Sequence, residues 1–144
     1  MILVDANILL YAYDKSAGSH DQARNWLERT FSNDEPLALC WQSITAFLRI
    51  STNPRAYAAP FSVREATRIV SEWLDHPAAV VLAPTSRHWR IFHELMEEGQ
   101  ACGSLVMDAH LAALSIEHGA ILCTTDRDFS RFKGLQTFNP ISPA

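Results

Sequence analysis

The sequence has few residues that could support disulfide or zinc chemistry. It contains 3 cysteines in 144 residues, and none of them forms a Cys-x-x-Cys pair. Cys40, Cys102 and Cys123 are scattered and each lies in an apolar stretch, while the 6 histidines show no His-x-x-x-His spacing. A disulfide framework and a structural zinc site are therefore disfavoured. We expect reduced thiols and a cytoplasmic protein.

Several other sequence signals are absent. No apolar run reaches the roughly 18 residues that a membrane span needs. The start of the chain has no basic segment, and Asp5 interrupts its apolar residues, so we expect no signal peptide. No Gly-x-Gly-x-x-Gly motif follows a predicted strand, which disfavours a dinucleotide-binding enzyme. The only lysines, Lys15 and Lys133, do not suit an aspartyl-phosphate acceptor that needs a nearby lysine.

The composition is that of a folded globular protein. Hydrophobic residues make up 48% of the chain and charged residues 19%, which excludes general disorder. The net charge of −4 excludes a generally basic protein that coats nucleic acid, although a local basic groove remains compatible with it. The length predicts one domain that spans residues 1–144.

Short apolar runs alternate with helical patterns along the whole chain. The pattern predicts strands at residues 2–4, 37–40, 79–82, 120–123 and 135–138, with helices at 7–13, 19–31, 43–52, 63–75, 86–98 and 105–118. Ser62 and Glu65 form a capping-box pattern, Ser104 is placed to cap the last helix, and Val63 and Trp89 fall on apolar stripes. This order predicts a three-layer α/β domain with a parallel sheet of about five short strands flanked by helices.

Acidic residues interrupt three of the apolar segments. Asp5 is the only charged residue among the first thirteen, and Asp108 is the only formally charged residue between Glu98 and Glu117. Asp126 follows the strand predicted at 120–123, and Asp128 comes two residues later. A buried carboxylate without a partner is costly, so such groups are usually paired, protonated or bound to a metal.

The predicted fold brings these acids to one place. Asp5 and Asp126 follow the carboxyl ends of strands, where ligand sites gather in open parallel sheets, and Asp108 lies one turn into its helix. A hard cation such as Mg²⁺ or Mn²⁺ is the natural partner of converging carboxylates and can activate water for phosphoester hydrolysis. Each acid also has a simpler interpretation: Asp5 as a helix cap, Asp108 as a solvent-facing or arginine-paired residue, and Asp126 with Asp128 as turn formers.

Four segments of the chain resemble, in order, the motifs of the PIN-domain ribonucleases, and in particular the VapC-type toxins of bacterial toxin–antitoxin pairs. They are Leu3–Leu9, Trp41–Pro54, Asp108–Ala120 and Thr124–Leu135. The resemblance implies a metal-dependent endoribonuclease that uses Mg²⁺ or Mn²⁺, forms a homodimer and is neutralised by a co-encoded VapB-type antitoxin. It also implies that Asp5, Asp108 and Asp126 are catalytic residues that bind metal, with Asp128 as a supporting catalytic acid.

Further residues around these motifs have expected roles. Asn7 and either Thr124 or Thr125 would orient the acids through hydrogen bonds. RNA must be held by positive charge, and the arginines that flank the motifs are the candidates: Arg49, Arg55, Arg127 and Arg131. His110 follows Asp108 closely, but we expect it to pack and not to act in the site.

The chain departs from the family pattern at one position. Many PIN domains have a glutamate just before the Phe-Leu-Arg stretch, and Ala46 stands there in this chain. No acid lies between Glu35 and Glu65, and Gln42, Ser43 and Thr45 offer only neutral oxygens. This gap leaves an alternative open: a non-catalytic or weakened PIN-like module that binds RNA or a partner protein.

Overall fold

Strands and helices alternate along the chain in the predicted order. A computed structural model describes residues 1–33 and 35–141, so Asp34 and residues 142–144 of the predicted 1–144 domain lie outside the described residues. Within the described part, the elements are β1 (Ile2–Val4), α1 (Ala6–Tyr13), α2 (His20–Ser32), β2 (Leu37–Leu39), α3 (Trp41–Ser51), α4 (Val63–Asp75), β3 (Ala79–Val81), α5 (His88–Glu98), α6 (Leu105–Glu117), β4 (Ile121–Cys123), a 3₁₀ helix (Arg127–Arg131) and β5 (Thr137–Phe138).

The described strands form one parallel sheet in the order β3-β2-β1-β4-β5. The central strand β1 pairs with β2 on one side and β4 on the other, with Val4 opposite Cys123 in register. The chain moves outward from β1 to β3 and then returns across the sheet to β4. This reversal of direction creates a crevice at the carboxyl edge of the sheet, beside β1 and β4.

Alternating side chains on the strands build two separate cores. Leu3, Ala38 and Leu122 point to the face covered by α5 and α6. Val4 and Cys123 point to the opposite face, which α1 to α4 cover. Successive residues of a strand face opposite sides, so the apolar residues of β1, β2 and β4 are covered on both faces, whereas Val80 and Val81 of the edge strand β3 are exposed. The predicted three-layer α/β architecture is confirmed. In the described part of the chain, no helix is long and apolar enough to cross a bilayer.

The predicted ends of helices and strands agree with the structure at some positions and differ at others. Ser62 and Glu65 form the expected capping box at the start of α4. Ser104 precedes α6, but its side chain makes no capping hydrogen bond. Gly119 follows α6 with a φ of +66°, which favours glycine. The last strand is shorter than the predicted 135–138: it covers Thr137–Phe138, and residues 135 and 136 belong to the segment before it.

Two hydrophobic residues that the helical pattern placed on apolar stripes are exposed. Val63 is 72% exposed at the first turn of α4, and Trp89 is 68% exposed on α5. Ile69 is buried in α4 instead, together with Ala66 and Trp73. Periodicity identifies a face, but the neighbouring elements determine how much of that face they cover.

A polar network that the sequence analysis did not find joins α5 to α6. The Glu117 side chain is fully buried, and it accepts hydrogen bonds from the Thr85 backbone N–H and hydroxyl. His88 places Nδ1 2.6 Å from Glu117 Oε1 and Nε2 2.9 Å from His110 Nδ1. His110 therefore belongs to this inter-helix network, which extends its predicted packing role.

Candidate functional site

The carboxyl edge of the sheet brings the four predicted acids together. Asp5 directly follows β1, and Asp126 follows β4 after two threonines. Asp108 lies in the first turn of α6, and Asp128 lies in the 3₁₀ helix. Since β1 and β4 are paired neighbours, the segments after them leave the sheet side by side.

Asp5 serves as a helix cap and also faces the other acids. Its Oδ1 accepts a hydrogen bond of 2.7 Å from the Ala6 backbone N–H. Its Oδ2 accepts a hydrogen bond of 2.7 Å from the Thr124 hydroxyl. The capping interpretation of Asp5 is therefore correct, but it does not exclude a functional role, because the carboxylate lies close enough to Asp126 to be affected by its charge.

Thr124 is the threonine that orients this part of the site. Its buried hydroxyl donates to Asp5, accepts from the Asp126 backbone N–H at 3.0 Å, and lies 3.5 Å from Asn7 Nδ2. One hydroxyl thus connects the segment after β1 with the segment after β4. The sequence left Thr124 and Thr125 as equal candidates, and the geometry favours Thr124.

The tightest group of acids is Asp108, Asp126 and Asp128. Each of the three offers one carboxylate oxygen, and these oxygens all lie within 4.8 Å of one another. Asp126 also accepts a 2.9 Å hydrogen bond from the Asp128 backbone N–H, which fixes the turn between them. Asp5 adjoins this group without belonging to it, so the structure places Asp128 more centrally than the sequence predicted.

Burial and the charges of neighbouring acids make Asp108 and Asp5 harder to ionise. Burial raises the pKa of Asp108 to about 6, and the charges of Asp126, Asp5 and Asp128 act in the same direction. Burial also raises the pKa of Asp5, partly offset by the hydrogen bonds from Thr124 and Ala6. Among the described residues, none of the ion pairs includes these acids. The site therefore has an excess of negative charge that a cation would relieve.

The donor set fits a hard divalent cation. Oxygens on opposite sides of Mg²⁺ lie about 4.2 Å apart, so small side-chain rotations would bring all three clustered carboxylates to one ion. In addition, Asn7 Oδ1 and Gln42 Oε1 are buried near this edge and have no hydrogen-bond partner among the described residues. Buried polar atoms normally have partners, so these two oxygens are acceptors whose hydrogen bonds the described residues do not supply.

Two of the four predicted arginines lie in the 3₁₀ helix that carries Asp128, and exposed apolar side chains lie at the starts of α3 and α6. All four predicted arginines are exposed, and Arg131 donates to the backbone oxygens of Gly99 and Asp128. The sequence analysis did not single out Trp41, which is 57% exposed at the start of α3, or Met107, which is 52% exposed on α6. The position of Trp41 directly after β2 is the sequence signal that could have identified it.

Comparisons with known proteins agree with this geometry. The family profile described as "PIN domain" matches residues 2–135. The chain is 38% identical over 141 residues to "VapC ribonuclease Mb2897" of Mycobacterium bovis, covering 98% of this chain and 96% of that protein.

Two solved structures share the fold at low sequence identity. One is VapBC2 from Rickettsia felis bound to a DNA fragment from its promoter, with a TM-score of 0.71, 19% identity, and coverage of 96% of this chain and 98% of that chain. The other is a toxin–antitoxin complex from Klebsiella pneumoniae, with a TM-score of 0.66, 17% identity, and coverage of 97% and 98%. The chain therefore belongs to the PIN-domain family and, within it, to the VapC-type proteins.

Proposed function

We propose that this chain is a VapC-type toxin that cleaves RNA as a divalent-metal-dependent endoribonuclease. The observation that carries the proposal is the cluster of three carboxylates from Asp108, Asp126 and Asp128, in which one oxygen of each lies within 4.8 Å of the other two. Asp5 adjoins this cluster. The 38% identity to a protein named a ribonuclease, over nearly the full length of both chains, supports RNA as the substrate. The same relative lends no support to the non-catalytic alternative.

In the proposed mechanism, each acid has a defined task. Asp108, Asp126 and Asp128 hold the cation through their clustered oxygens. Asp5, fixed by Thr124 and the Ala6 N–H, supplies the fourth negative charge from the end of β1. A divalent cation held by these residues would supply Lewis-acid chemistry for the scissile phosphate and for an attacking water.

Exposed arginine and tryptophan side chains are proposed to hold the RNA. Phosphate contacts supply much of the affinity of proteins for nucleic acid, and the candidates for these contacts are four exposed arginines, Arg49, Arg55, Arg127 and Arg131. Trp41 adds a flat apolar surface at the start of α3, on which an unstacked base can lie. Single-stranded RNA presents both features at once.

We further propose that the protein acts in the cytoplasm with residues 1–144 as one domain, as a homodimer, and with a VapB-type antitoxin as its partner. The similarity to a chain of a toxin–antitoxin complex supports the antitoxin. The described cysteines are free thiols, which suits a reducing compartment.

RNA cleavage by the purified, antitoxin-free protein tests the proposed function. The reaction is run with Mg²⁺, with Mn²⁺ and with EDTA, beside Asp5→Asn and Asp108→Asn. Asp21→Asn in α2 is the control, because its acid is exposed and lies outside the four motif segments. We expect cleavage that needs metal, disappears in both site variants and persists in the control. EDTA-resistant cleavage would contradict the proposal.

If the wild-type protein does not cleave RNA, a variant at Ala46 distinguishes the possible reasons. It is half-buried in α3 and offers only a methyl group. If folded wild-type protein cleaves none of several RNA pools and Ala46→Glu does cleave, the chain is a disabled nuclease. If both are silent, the binding-module alternative replaces the proposed function.

A further inference from the structure

The first turns of α3 contain three neutral side-chain oxygens, and two of them are already occupied. The Ser43 hydroxyl lies 3.4 Å from the Cys40 sulfur. The Thr45 hydroxyl donates to the Trp41 carbonyl at 2.7 Å, within its own helix. These contacts explain why neither hydroxyl is directed toward another element.

Gln42 is different because its amide reaches another helix. Its Nε2 donates to the Met107 carbonyl of α6 at 3.1 Å. A carbonyl only accepts hydrogen bonds, so the amide must turn its nitrogen toward Met107 and its oxygen away. That oxygen, Oε1, is buried and has no partner in the part of the chain that the structure describes. A buried acceptor left in this way costs free energy unless something binds to it.

The position of Gln42 explains what could bind there. It lies in the first turn of α3, directly beyond the carboxyl end of β2, and β2 is the neighbour of the strand that Asp5 follows. Since α3 and α6 cover opposite faces of the sheet, the bond to Met107 crosses the carboxyl edge. It ends on the residue next to Asp108.

We propose that Gln42 is a ligand of the cation site, where Oε1 serves as a neutral oxygen donor that helps to hold the divalent ion. The proposal rests on the proposed function. Divalent cations of this class accept amide oxygens as well as carboxylates. Three clustered carboxylates already repel one another, and a neutral oxygen adds a donor without adding to that repulsion.

Calorimetric titration of the metal-free protein with Mn²⁺ tests this role without relying on activity. Gln42→Met keeps the length of the side chain but removes both Oε1 and the Nε2 donor to Met107, and we expect its Mn²⁺ affinity to fall at least about tenfold. Gln42→Glu also lacks the Nε2 donor, so the comparison of the two variants isolates the oxygen. Gln42→Glu keeps an oxygen and adds charge, so it should bind Mn²⁺ more tightly than wild type. Thr45→Val is the matched control, because among the described residues its hydroxyl bonds within α3 alone, and the Mn²⁺ affinity of this variant should not change.

The outcomes separate this proposal from the proposed function. Gln42→Met with wild-type affinity overturns the role of Gln42, and so does an equal loss in Thr45→Val, which would reflect damage to α3. If Gln42→Met does not fold, the Mn²⁺ affinity of Gln42→Glu tests the proposal instead. An affinity equal to or weaker than that of the wild type would contradict the role of Gln42. Asp108→Asn is titrated in parallel: a wild-type protein that binds no Mn²⁺, or an Asp108→Asn variant that binds it equally well, overturns the metal site and Gln42's role with it.

Discussion

Single residues show how one hydroxyl can organise a charged site. Thr124 donates to Asp5 and accepts from the Asp126 backbone, so it holds the ends of β1 and β4 in one arrangement. Its hydrogen bond also stabilises the ionised form of Asp5, whose pKa burial would otherwise raise further. Supporting residues of this kind influence metal affinity and activity without touching the metal.

Thr124→Val should therefore lower RNA cleavage by about 10- to 100-fold, the range typical of lost supporting hydrogen bonds at metal sites. The acidic limb of the pH–rate profile should move to higher pH, because the pKa of Asp5 rises when it loses this donor. Initial rates measured across pH check both effects. Thr125→Val is the control and should behave as wild type, whereas equal losses in the two variants would contradict the assigned role.

Trp41 allows a second prediction at the level of one residue. If a base stacks on this exposed ring, Trp41→Ala should raise the KM for RNA about 5- to 150-fold, as expected for about 1–3 kcal/mol of stacking, and change kcat far less. Steady-state kinetics on a short RNA substrate separate the two constants. Trp89→Ala removes a comparably exposed ring from α5 and should leave both constants unchanged. A Trp41→Ala variant with a lower kcat and an unchanged KM would contradict base stacking on this ring.

The convergence of the candidate acids could be predicted from sequence. Asp5 and Asp126 were placed at the carboxyl edge because an acid just beyond an apolar strand has a known position in a parallel sheet. The orientation of the Gln42 amide could not be found in this way. It depends on the distance between α3 and α6 across the sheet edge, which no local pattern encodes.

At the scale of elements, the 3₁₀ helix is held against the turn between α5 and α6. Arg131 Nη1 donates to the Gly99 carbonyl at 3.0 Å. A Cβ added at Gly99 would come within 2.9 Å of the Leu95 carbonyl oxygen and 3.0 Å of the Phe132 ring. Asp128 lies in the 3₁₀ helix, three residues before Arg131, and Asp108 lies in α6, which follows the turn at Gly99. The contacts of Arg131 and Phe132 with Gly99 therefore help to set the position of Asp128 relative to Asp108.

Gly99→Ala should therefore destabilise the protein by about 1–3 kcal/mol, the usual cost of overpacking a tight contact. Mn²⁺ affinity should fall as well, because the 3₁₀ helix that carries Asp128 must shift. Urea unfolding and Mn²⁺ titration measure the two effects. Gly18→Ala is the matched control, because a Cβ there meets nothing within 4 Å. A Gly99→Ala variant as stable as the control would show that the contact relaxes freely.

The element boundaries illustrate what sequence can and cannot supply. The capping box at Ser62 and the glycine end at Gly119 are local, and both were predicted correctly. The exposure of Val63 and Trp89 depends on which neighbours cover α4 and α5, and their helical periodicity alone misplaced them. Five apolar strands of two or three residues were still recognisable, because each is bounded by turns or helix starts.

At the scale of the whole molecule, the clustered acids link stability to pH. The pKa of Asp108 is raised from 3.8 to about 6 in the folded protein. Between these values the folded state binds more protons than the unfolded state, so stability falls as pH rises through this range. The contribution is fully present below the unfolded pKa and is lost above the folded one.

Metal-free wild-type protein in EDTA should therefore lose stability between about pH 4 and pH 6 relative to Asp108→Asn, which lacks this titration. Above pH 6, added Mg²⁺ should stabilise the wild type, because the cation binds the ionised carboxylates of the folded state only. Urea unfolding at a series of pH values measures both effects. A wild type whose stability follows that of Asp108→Asn across the range would contradict the raised pKa.

The central claim for the whole molecule is that its acidic cluster, with a divalent cation, directs water onto an RNA phosphodiester. The most direct measurement is the chemistry of the product ends made by the wild-type protein with Mn²⁺, with Asp108→Asn run in parallel. Attack by water predicts 5′-phosphate and 3′-hydroxyl ends in the wild-type reaction and no product from the variant. Products with 2′,3′-cyclic phosphate and 5′-hydroxyl ends, formed equally by Asp108→Asn, would contradict it.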